Sequence, residues 1–385
     1  MKKYNLLLPI AGKAQRFIDA GFSMPKPLIH AGEDQIIDLS ISSINIEDCN
    51  LIFIVRRDHI LNFNIDNILK IKFGEDIKII TIDTLTRGAL ETCYKALEGI
   101  NLSNPLMIYT PDVYFQPTFD PASIDKDSDG FLLTFQANSP DHSYVKINEK
   151  GDATLVAEKE VISEHANVGL YYFKSGEIFK KYAGEAIENE MLVRGEFYIA
   201  PIYNLLIRDN LKINTTSTEK MYVLGTPENL QFYEQRIIKS IKEKSFVLSS
   251  DHSGYKLKEE TKRILDKKNI LYVDVGTLTD SPCDYSDFAK EAIKVVENKR
   301  ASYSLSFCRT GQGVNIVANK SDHIAAVVFD SYTAEFAIRH NCSDFFSIPS
   351  KYVDTETMEQ IIETIIHNSF DGGRHYTRIN KAITN

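Results

Sequence analysis

From Leu6 to Leu28 the chain runs LLLPIAGKAQRFIDAGFSMPKPL, and few folds can use such a segment. Leu6-Leu7-Leu8-Pro9-Ile10 is a short apolar run between polar residues, the pattern of a buried strand. Ala11-Gly12-Lys13-Ala14 follows. A strand that runs into small residues lets backbone N–H groups come close to an anion. Arg16 adds a planar charged fork suited to phosphate oxygens. Lys26, held between Pro25 and Pro27, adds a point charge on a stiffened chain. Taken singly these parts are a strand, a surface turn and two solvated cations. Taken together they describe a cradle for a triphosphate.

Strands and helices then alternate. Leu51–Val55 and Ile77–Ile82 have strand character, with helical stretches between them. This βαβ rhythm implies an α/β fold with a mainly parallel sheet and helices on both faces. Thr86-Arg87-Gly88-Ala89 opens a helix carrying Leu90, Ala96 and Leu97. Gly88 would let backbone approach a planar base, while the helix start favours anions; a plain helix start is the simpler alternative. The strand Leu106–Tyr109 ends in Thr110-Pro111-Asp112. Ligands of open parallel sheets sit beyond the carboxyl ends of strands. A carboxylate there, facing the first loop, is placed to hold Mg²⁺, although an acidic residue after a strand is often only a turn former.

Gly12…Arg16 followed by Pro25-Lys26-Pro27-Leu28 resembles the start of the sugar-phosphate nucleotidyltransferases, the nucleoside-diphosphate-sugar pyrophosphorylases. The resemblance implies a Rossmann-like, GT-A-like mixed sheet. It makes Arg16, Lys26 and Asp112 catalytic, with Mg²⁺ on Asp112, and sets the nucleotide against Pro9, Ala11, Gly12 and Gly88. Glu158-Lys159, Ala166-Asn167-Val168-Gly169 and Gly195-Glu196-Phe197-Tyr198 match the sugar side of that family. By resemblance Lys159 contacts the sugar phosphate, and Glu158, Asn167 and Gly169 line the sugar pocket. Without it they are a surface ion pair, a turn and a helix cap. Leu224-Gly225-Thr226-Pro227 matches the closing G-T-P. Two departures stand out. Ala14 replaces a second loop glycine, which serves unless φ there must be positive. Val223 stands where related enzymes carry a second metal-binding Asp, so a second carboxylate would come from elsewhere, with Glu196 one choice, or there is none.

A chain of 385 residues is expected to form two domains, since domains run to roughly 100–200 residues. The expected division is 1–243 and 244–385. An amphipathic helical segment from about Glu228 to Lys244, with Leu230, Ile237, Ile238 and Ile241 on its apolar face, leads into a new strand, FVLSS, at Phe246. The βαβ order then restarts. Leu257, Ile264 and Leu265 follow helical spacing, as do Met358, Ile361, Ile362, Ile365 and Ile366. The result is a smaller, doubly wound parallel αβα sandwich. At its centre Ser304-Leu305-Ser306-Phe307 delivers Cys308 to a strand end, followed by Arg309-Thr310-Gly311-Gln312-Gly313. A single cysteine is usually an inert core residue, but at a strand end beside a helix start it can accept a proton. Arg374 and Arg378 are four apart, on one helix face, and make a phosphate clamp.

Asp251-His252-Ser253-Gly254-Tyr255, Cys308-x-Thr310-Gly311-x-Gly313, Ala318-Asn319-Lys320, Arg339-His340-Asn341 and Gly372-Gly373-Arg374-His375-x-x-Arg378 resemble the ribose-5-phosphate isomerase B / galactose-6-phosphate isomerase family. This resemblance covers nearly all of the second domain. It implies that Cys308 moves a proton between C1 and C2 of a sugar phosphate. Thr310 and the loop amides, with Gly311 and Gly313, would stabilise the enediolate oxygen. Asp251, His252 and His340 would handle ring opening, beside Asn341. Lys351, Arg374 and Arg378 would hold the phosphate. Residues of two subunits complete each site in this family, which implies a homodimer through the second domain. Arg309 replaces a glycine, and Lys351 an arginine.

The net charge of −9 argues against non-specific binding to nucleic acid or anionic membranes, so any phosphate site is a local basic cluster. Five scattered cysteines without a C-x-x-C pair suggest reduced thiols in the cytoplasm. No signal peptide or membrane-spanning run is visible. The combined expectation is a two-domain enzyme. One domain joins an NTP, with CTP, GTP, UTP and dTTP all open and a slight lean to CTP from the G-E-F-Y subgroup, to a phosphorylated sugar or polyol. The other interconverts aldose and ketose phosphates, and the pair would serve a capsule or other surface polysaccharide. A second reading makes the C-terminal domain a sugar-phosphate-binding or dimerisation module, which Arg309 favours and Cys308, Thr310 and His340 oppose. A third makes the first domain a nucleotide binder without chemistry, which Val223 allows and Asp112 and Lys26 oppose.

Overall fold

A computed structural model describes residues 2–238 and 244–383 and divides into two compact units, Met1–Leu230 and Gln231–Asn385. The first is built on a nine-stranded mixed sheet. Strands Lys78–Ile82, Cys49–Arg56, Tyr4–Pro9 and Leu106–Tyr109 lie side by side and parallel. Beyond them the sheet turns antiparallel. His165–Phe173 pairs with Leu106–Tyr109, Gly130–Gln136 and Ser143–Ile147, and Ala153–Glu158 extends that edge. The parallel rhythm expected from the sequence therefore covers those four strands, and beyond them parallel pairing returns where Ile213–Ser217 lies against Gly130–Gln136.

Successive strand residues face opposite sides of a sheet. Leu6, Leu8, Phe53 and Val55 enter one apolar core, and Leu7, Ile52 and Ile54 the other. Both faces are covered, which explains the unbroken apolar runs. Leu6, Leu7 and Leu8 are fully buried, each contributing about 1.5–3 kcal/mol. That burial pins the register at which the first loop emerges. From Tyr4–Pro9 the chain first adds strands on one side of it, then returns to lay Leu106–Tyr109 on the other. Where the order reverses, a crevice opens beyond the carboxyl ends. Gly12 and Asp112 follow those two ends.

The second unit repeats this logic. Its five strands, in the spatial order Tyr272–Asp274, Phe246–Ser250, Tyr303–Cys308, Phe345–Pro349 and Ala325–Val327, are all parallel. Helices Tyr255–Lys267, Ser331–Arg339 and Thr355–His367 bury Leu257, Ile338 and Ile361 on one face. Helices Tyr285–Glu297 and Gln312–Ala318 bury Ala292 and Val314 on the other. Here the order reverses between Phe246–Ser250 and Tyr303–Cys308, so Asp251 and Cys308 emerge at adjacent strand ends. The segment after Pro227 is α-helical to Phe232 and π-helical over Tyr233–Ile237. Phe232 packs edge-on against Tyr376, at 4.7 Å, and against Phe370. Ile241, expected on the same apolar face, lies outside the described residues. No helix among the described residues is long and apolar enough to cross a membrane, and all five cysteines are free thiols.

Candidate functional site

In the first unit Lys26 and Asp112 meet, with Nζ 2.9 Å from Oδ2. Lys26 is delivered by the proline-flanked turn Lys26–Leu28, Asp112 by the end of the neighbouring strand. Both are half-buried, so the pair sits at the crevice mouth. Ala14 is left-handed, with φ 52°. The alanine in the glycine's place thus carries backbone strain that a glycine would not. It starts the short helix Gln15–Asp19, anchored by buried Phe17, while Gly12 and Arg16 face solvent. The backbone of Leu224 bonds to Asp112 O at 2.8 Å. A Cβ on Gly225 would stand 3.3 Å from Asp112 Oδ2, so the closing glycine keeps space open beside the carboxylate. Val223 pairs with Val113 in a two-stranded ribbon and packs on the core. An apolar contact occupies the place of the second carboxylate.

The residues that the sequence resemblance sets on the sugar side form a set of tight turns. Lys159, at the end of strand Ala153–Glu158, is left-handed with φ 60°. Its Nζ reaches Asp141 O and lies 3.7 Å from Glu158 Oε1. Burial raises the Glu158 carboxyl above its ordinary range, against the hydrogen bond from Ser143 and the charge of Lys159. Burial, with Lys159 beside it, holds His142 down at about 4. Asn167 and Gly169 form a bulge in strand His165–Phe173. Asn167 uses its amide on the bulge itself, Nδ2 to Leu170 O at 3.1 Å and Oδ1 to Gly169 N–H at 2.6 Å. Gly169, φ 90°, sits where any Cβ would strike Thr110 Oγ1.

Sequence reasoning passed over Arg194. Val193 and Glu196 exchange two backbone hydrogen bonds of 3.0 Å across Arg194 (φ 49°) and Gly195 (φ 85°). Two positive φ values in a two-residue connection mark the tight primed hairpin turn. Arg194 Nη2 lies 3.4 Å from Lys159 O, and the Tyr198 ring lies under Lys159 Nζ. The signal in the sequence was the Arg-Gly pair before Glu196. Gly88, expected to admit a base, has Phe197 on its open side, where a Cβ would collide with the Phe197 backbone. Phe197 N–H donates to Arg87 O at 2.7 Å, and Arg87 also holds Glu190 through both carboxylate oxygens. The Thr86–Ala89 loop and the chain that follows the Val193–Glu196 hairpin are therefore one joined piece.

The second unit carries its predicted residues in two groups. Among the described residues no hydrogen bond or ion pair joins them. The first group holds Asp251, His252, Cys308, Thr310, Gly311, Gly313 and Lys351. Asp251 is buried and accepts from Gly254 N–H at 3.0 Å. His252 Nδ1 accepts from Cys283 N–H at 3.2 Å. Cys308 is buried at the strand end. Arg309, Thr310 and Lys351 are exposed. Gly311 is left-handed, φ 74°, and Gly313 leaves room for the Tyr285 ring.

The second group holds His340, Asn341, Arg374 and Arg378 with Arg339 and His375, which the motifs contained without a role, and Asp371, which the sequence reading left aside. His340 stacks on His375 at 3.9 Å and 17°. Asp371 takes two hydrogen bonds from Arg339, at 3.2 and 3.1 Å, and lies 4.0 Å from His340 Nε2. Asn341 is exposed. Metal-type atoms of His340, Asp371 and His375 fall within 4.8 Å of one another. Yet both Asp371 oxygens are engaged, and three guanidinium groups surround the rings, so the field suits an anion better than a cation.

Burial holds His375 down at about 4, helped by His340, Arg374, Arg378 and Arg339. His340 is lowered as well, mainly by burial, with Asp371 opposing. The His375 value lies below the ordinary 6.5, so between the two the unfolded chain binds a proton that the folded chain refuses. Stability should be full above about 6.5 and fall as pH drops from there towards 4. Urea midpoints of the second unit's transition, taken from pH 7.5 to 5, should show that fall, and His375→Asn should flatten it. Equal slopes for the two proteins would remove His375 as the cause.

Residues 7–198 match the nucleotidyl transferase family model, and residues 246–382 match that of ribose/galactose isomerase. The nucleoside-diphosphate-sugar pyrophosphorylase of Vibrio cholerae aligns with 60% of this chain and 100% of its own, at 26% identity and a TM-score of 0.55. A Rickettsia conorii protein named for sugar phosphate isomerase activity is 36% identical over 138 residues, 36% of this chain and 96% of its own. Ribose-5-phosphate isomerase B of Escherichia coli is 30% identical over 142 residues, 37% of this chain and 95% of its own. With Lys26 and Asp112 at one switch point and Cys308 at the other, the chain belongs to the nucleotidyl transferase family through its first unit and to the ribose/galactose isomerase family through its second.

Proposed function

We propose that the chain is a bifunctional enzyme of nucleotide-sugar formation. The observation that carries this is the meeting, at each switch point, of a small-residue loop and a reactive side chain: Gly12 and Asp112 after neighbouring strands of the first unit, and Cys308 with its own Gly311 loop in the second. In the first unit an NTP would lie over Pro9, Ala11 and Gly12, with Arg16 and Lys26 on its phosphates. Asp112 is the residue that would hold Mg²⁺; one carboxylate, paired with Lys26 through Oδ2 and with space beside it, suits an ion that takes its other ligands from phosphates and water. The ion, when bound, would neutralise charge developing on the transferred phosphoryl group. Lys159 and Arg194 would orient the acceptor phosphate, whose oxygen attacks the α-phosphorus as pyrophosphate leaves.

In the second unit Cys308 would take the proton from C2 of an aldose phosphate and return it at C1. Peptide N–H groups of the following loop would stabilise the enediolate. The Escherichia coli relative's name makes ribose 5-phosphate the first substrate to try, and the G-E-F-Y resemblance makes CTP the first nucleotide. The two unlinked groups of the second unit support a homodimer in which each copy completes the other's site. Five free thiols support a cytoplasmic setting, and the fusion of two sugar-phosphate activities supports a role in surface polysaccharide formation. The test is a matrix of the five common NTPs against pentose, hexose and heptose phosphates and their polyols, read by pyrophosphate release. One NTP with one acceptor class should stand out, and silence across the matrix with folded protein would defeat the transferase reading.

A further inference from the structure

Three chain segments converge beyond the ends of strands Phe246–Ser250 and Tyr303–Cys308, and one hydroxyl ties them together. Ser350 follows strand Phe345–Pro349. Its Oγ lies 2.9 Å from Ser253 O and 3.1 Å from Cys308 O. Its backbone N–H also donates to Cys308 O, at 3.0 Å, and the next N–H, of Lys351, donates to Arg309 O at 3.2 Å. A hydroxyl has one proton, so here it is shared between two carbonyls of different segments.

Peptide planarity gives this a consequence. In a trans peptide the C=O and the following N–H point in opposite directions. The carbonyls of Cys308 and Arg309 are both turned towards the 350–351 turn. The N–H groups of Arg309 and Thr310 are therefore turned away from it. Gly311 follows in the left-handed conformation, φ 74°, the kind of turn in which successive N–H groups converge on an anion. On the other side, the Ser350 hydroxyl holds the turn Asp251–Gly254. That turn lies so close to the Cys308 strand that a Cβ on Gly254 would stand 2.5 Å from Phe307 O.

We propose that Ser350 is a positioning residue: it fixes the peptide groups after Cys308 and holds the Asp251 turn in register with them. This rests on the isomerase reading of the second unit. Ser350 is not assigned a contact with substrate, and it acts through the carbonyls of Ser253 and Cys308.

The test compares full-length wild type, Ser350→Ala, which removes the hydroxyl, and Ser350→Thr, which keeps it. The first readout is solvent deuterium exchange at C2 of ribose 5-phosphate. The second is the rate of Cys308 alkylation by iodoacetamide, followed by peptide mass spectrometry and independent of turnover. Ser350→Ala should lower kcat for exchange ~10-fold or more with KM changed less than ~3-fold, since small misplacements of reacting groups cost this much. It should change the alkylation rate several-fold at an unchanged melting temperature, and Ser350→Thr should restore both. Wild-type values in Ser350→Ala, or a folded Ser350→Thr as defective as Ser350→Ala, would overturn the proposal. Wild type without exchange would instead count against the isomerase reading, and the alkylation comparison alone would then decide the role of Ser350.

Discussion

Asp112→Asn should cut pyrophosphate release by roughly 10³-fold, in line with the loss of one preorganised group facing transition-state charge. The first unit should stay folded. Asp112 is not a core residue; its partner is Lys26, 2.9 Å away, with side-chain exposures of 35% and 24%. A pair this open contributes at most about 1 kcal/mol, so its removal does not threaten the fold. The neighbouring Gly225 leaves space, so an amide fits where the carboxylate was. The defect should appear in two independent measurements: nucleotidyl transfer, and binding of Mn²⁺, used as the reporter ion, by electron paramagnetic resonance. Exchange in the second unit should be unchanged. Near-normal transfer by a folded Asp112→Asn protein would remove Asp112 from the chemistry and leave Lys26 as a plain ion-pair partner.

Cys308→Ser should abolish carbon–hydrogen exchange while sugar-phosphate binding persists. Serine is close to cysteine in volume but a far weaker acid, so at neutral pH it offers almost no anionic base. The strand end at which Cys308 is buried also keeps its neighbours, Ser350 on its carbonyl and Val314 in the adjoining core. Binding should survive because Arg374 and Arg378 belong to the other group of the unit. A loss of exchange of about 10³-fold is expected for removal of a general base of this kind, read by NMR in deuterium oxide. Phosphate-analogue titration should show an affinity within a few-fold of wild type. Wild-type protein that binds pentose or hexose phosphates without exchanging their C2 hydrogen would leave the second unit as a binding module. Arg309→Gly would then show whether the exposed arginine is what suppresses turnover.

Both switch points were legible because each rests on local signals: an apolar run, then small residues, then a charged or reactive side chain. The antiparallel half of the first sheet was not. Gly130–Gln136 and His165–Phe173 are nearly all buried, so neither alternates, and their pairing is a long-range choice that spacing does not announce. The same limit hid Ser350, whose role depends on carbonyls 42 and 97 residues away, and Asp371, which matters through Arg339. At Asn167 the structure shows an amide that closes its own turn, a use the sequence does not separate from lining a pocket because both carry the same letter. Ala14 marks a third kind of limit. Composition reports the missing glycine, while only the backbone reports that φ there is positive.

Lys159, Glu190 and Arg194 are all left-handed and none is glycine. Glycine at any of them would relax the chain, since a side chain in this region costs on the order of 1 kcal/mol. A library selected only for thermal stability should therefore drift towards glycine at these positions and, on the proposed transferase reading, lose acceptor use through Lys159 and Arg194 as it gains heat tolerance. Read in reverse, that drift is a mapping tool: positions where heat selection and transfer selection pull in opposite directions would outline the acceptor pocket without any bound ligand.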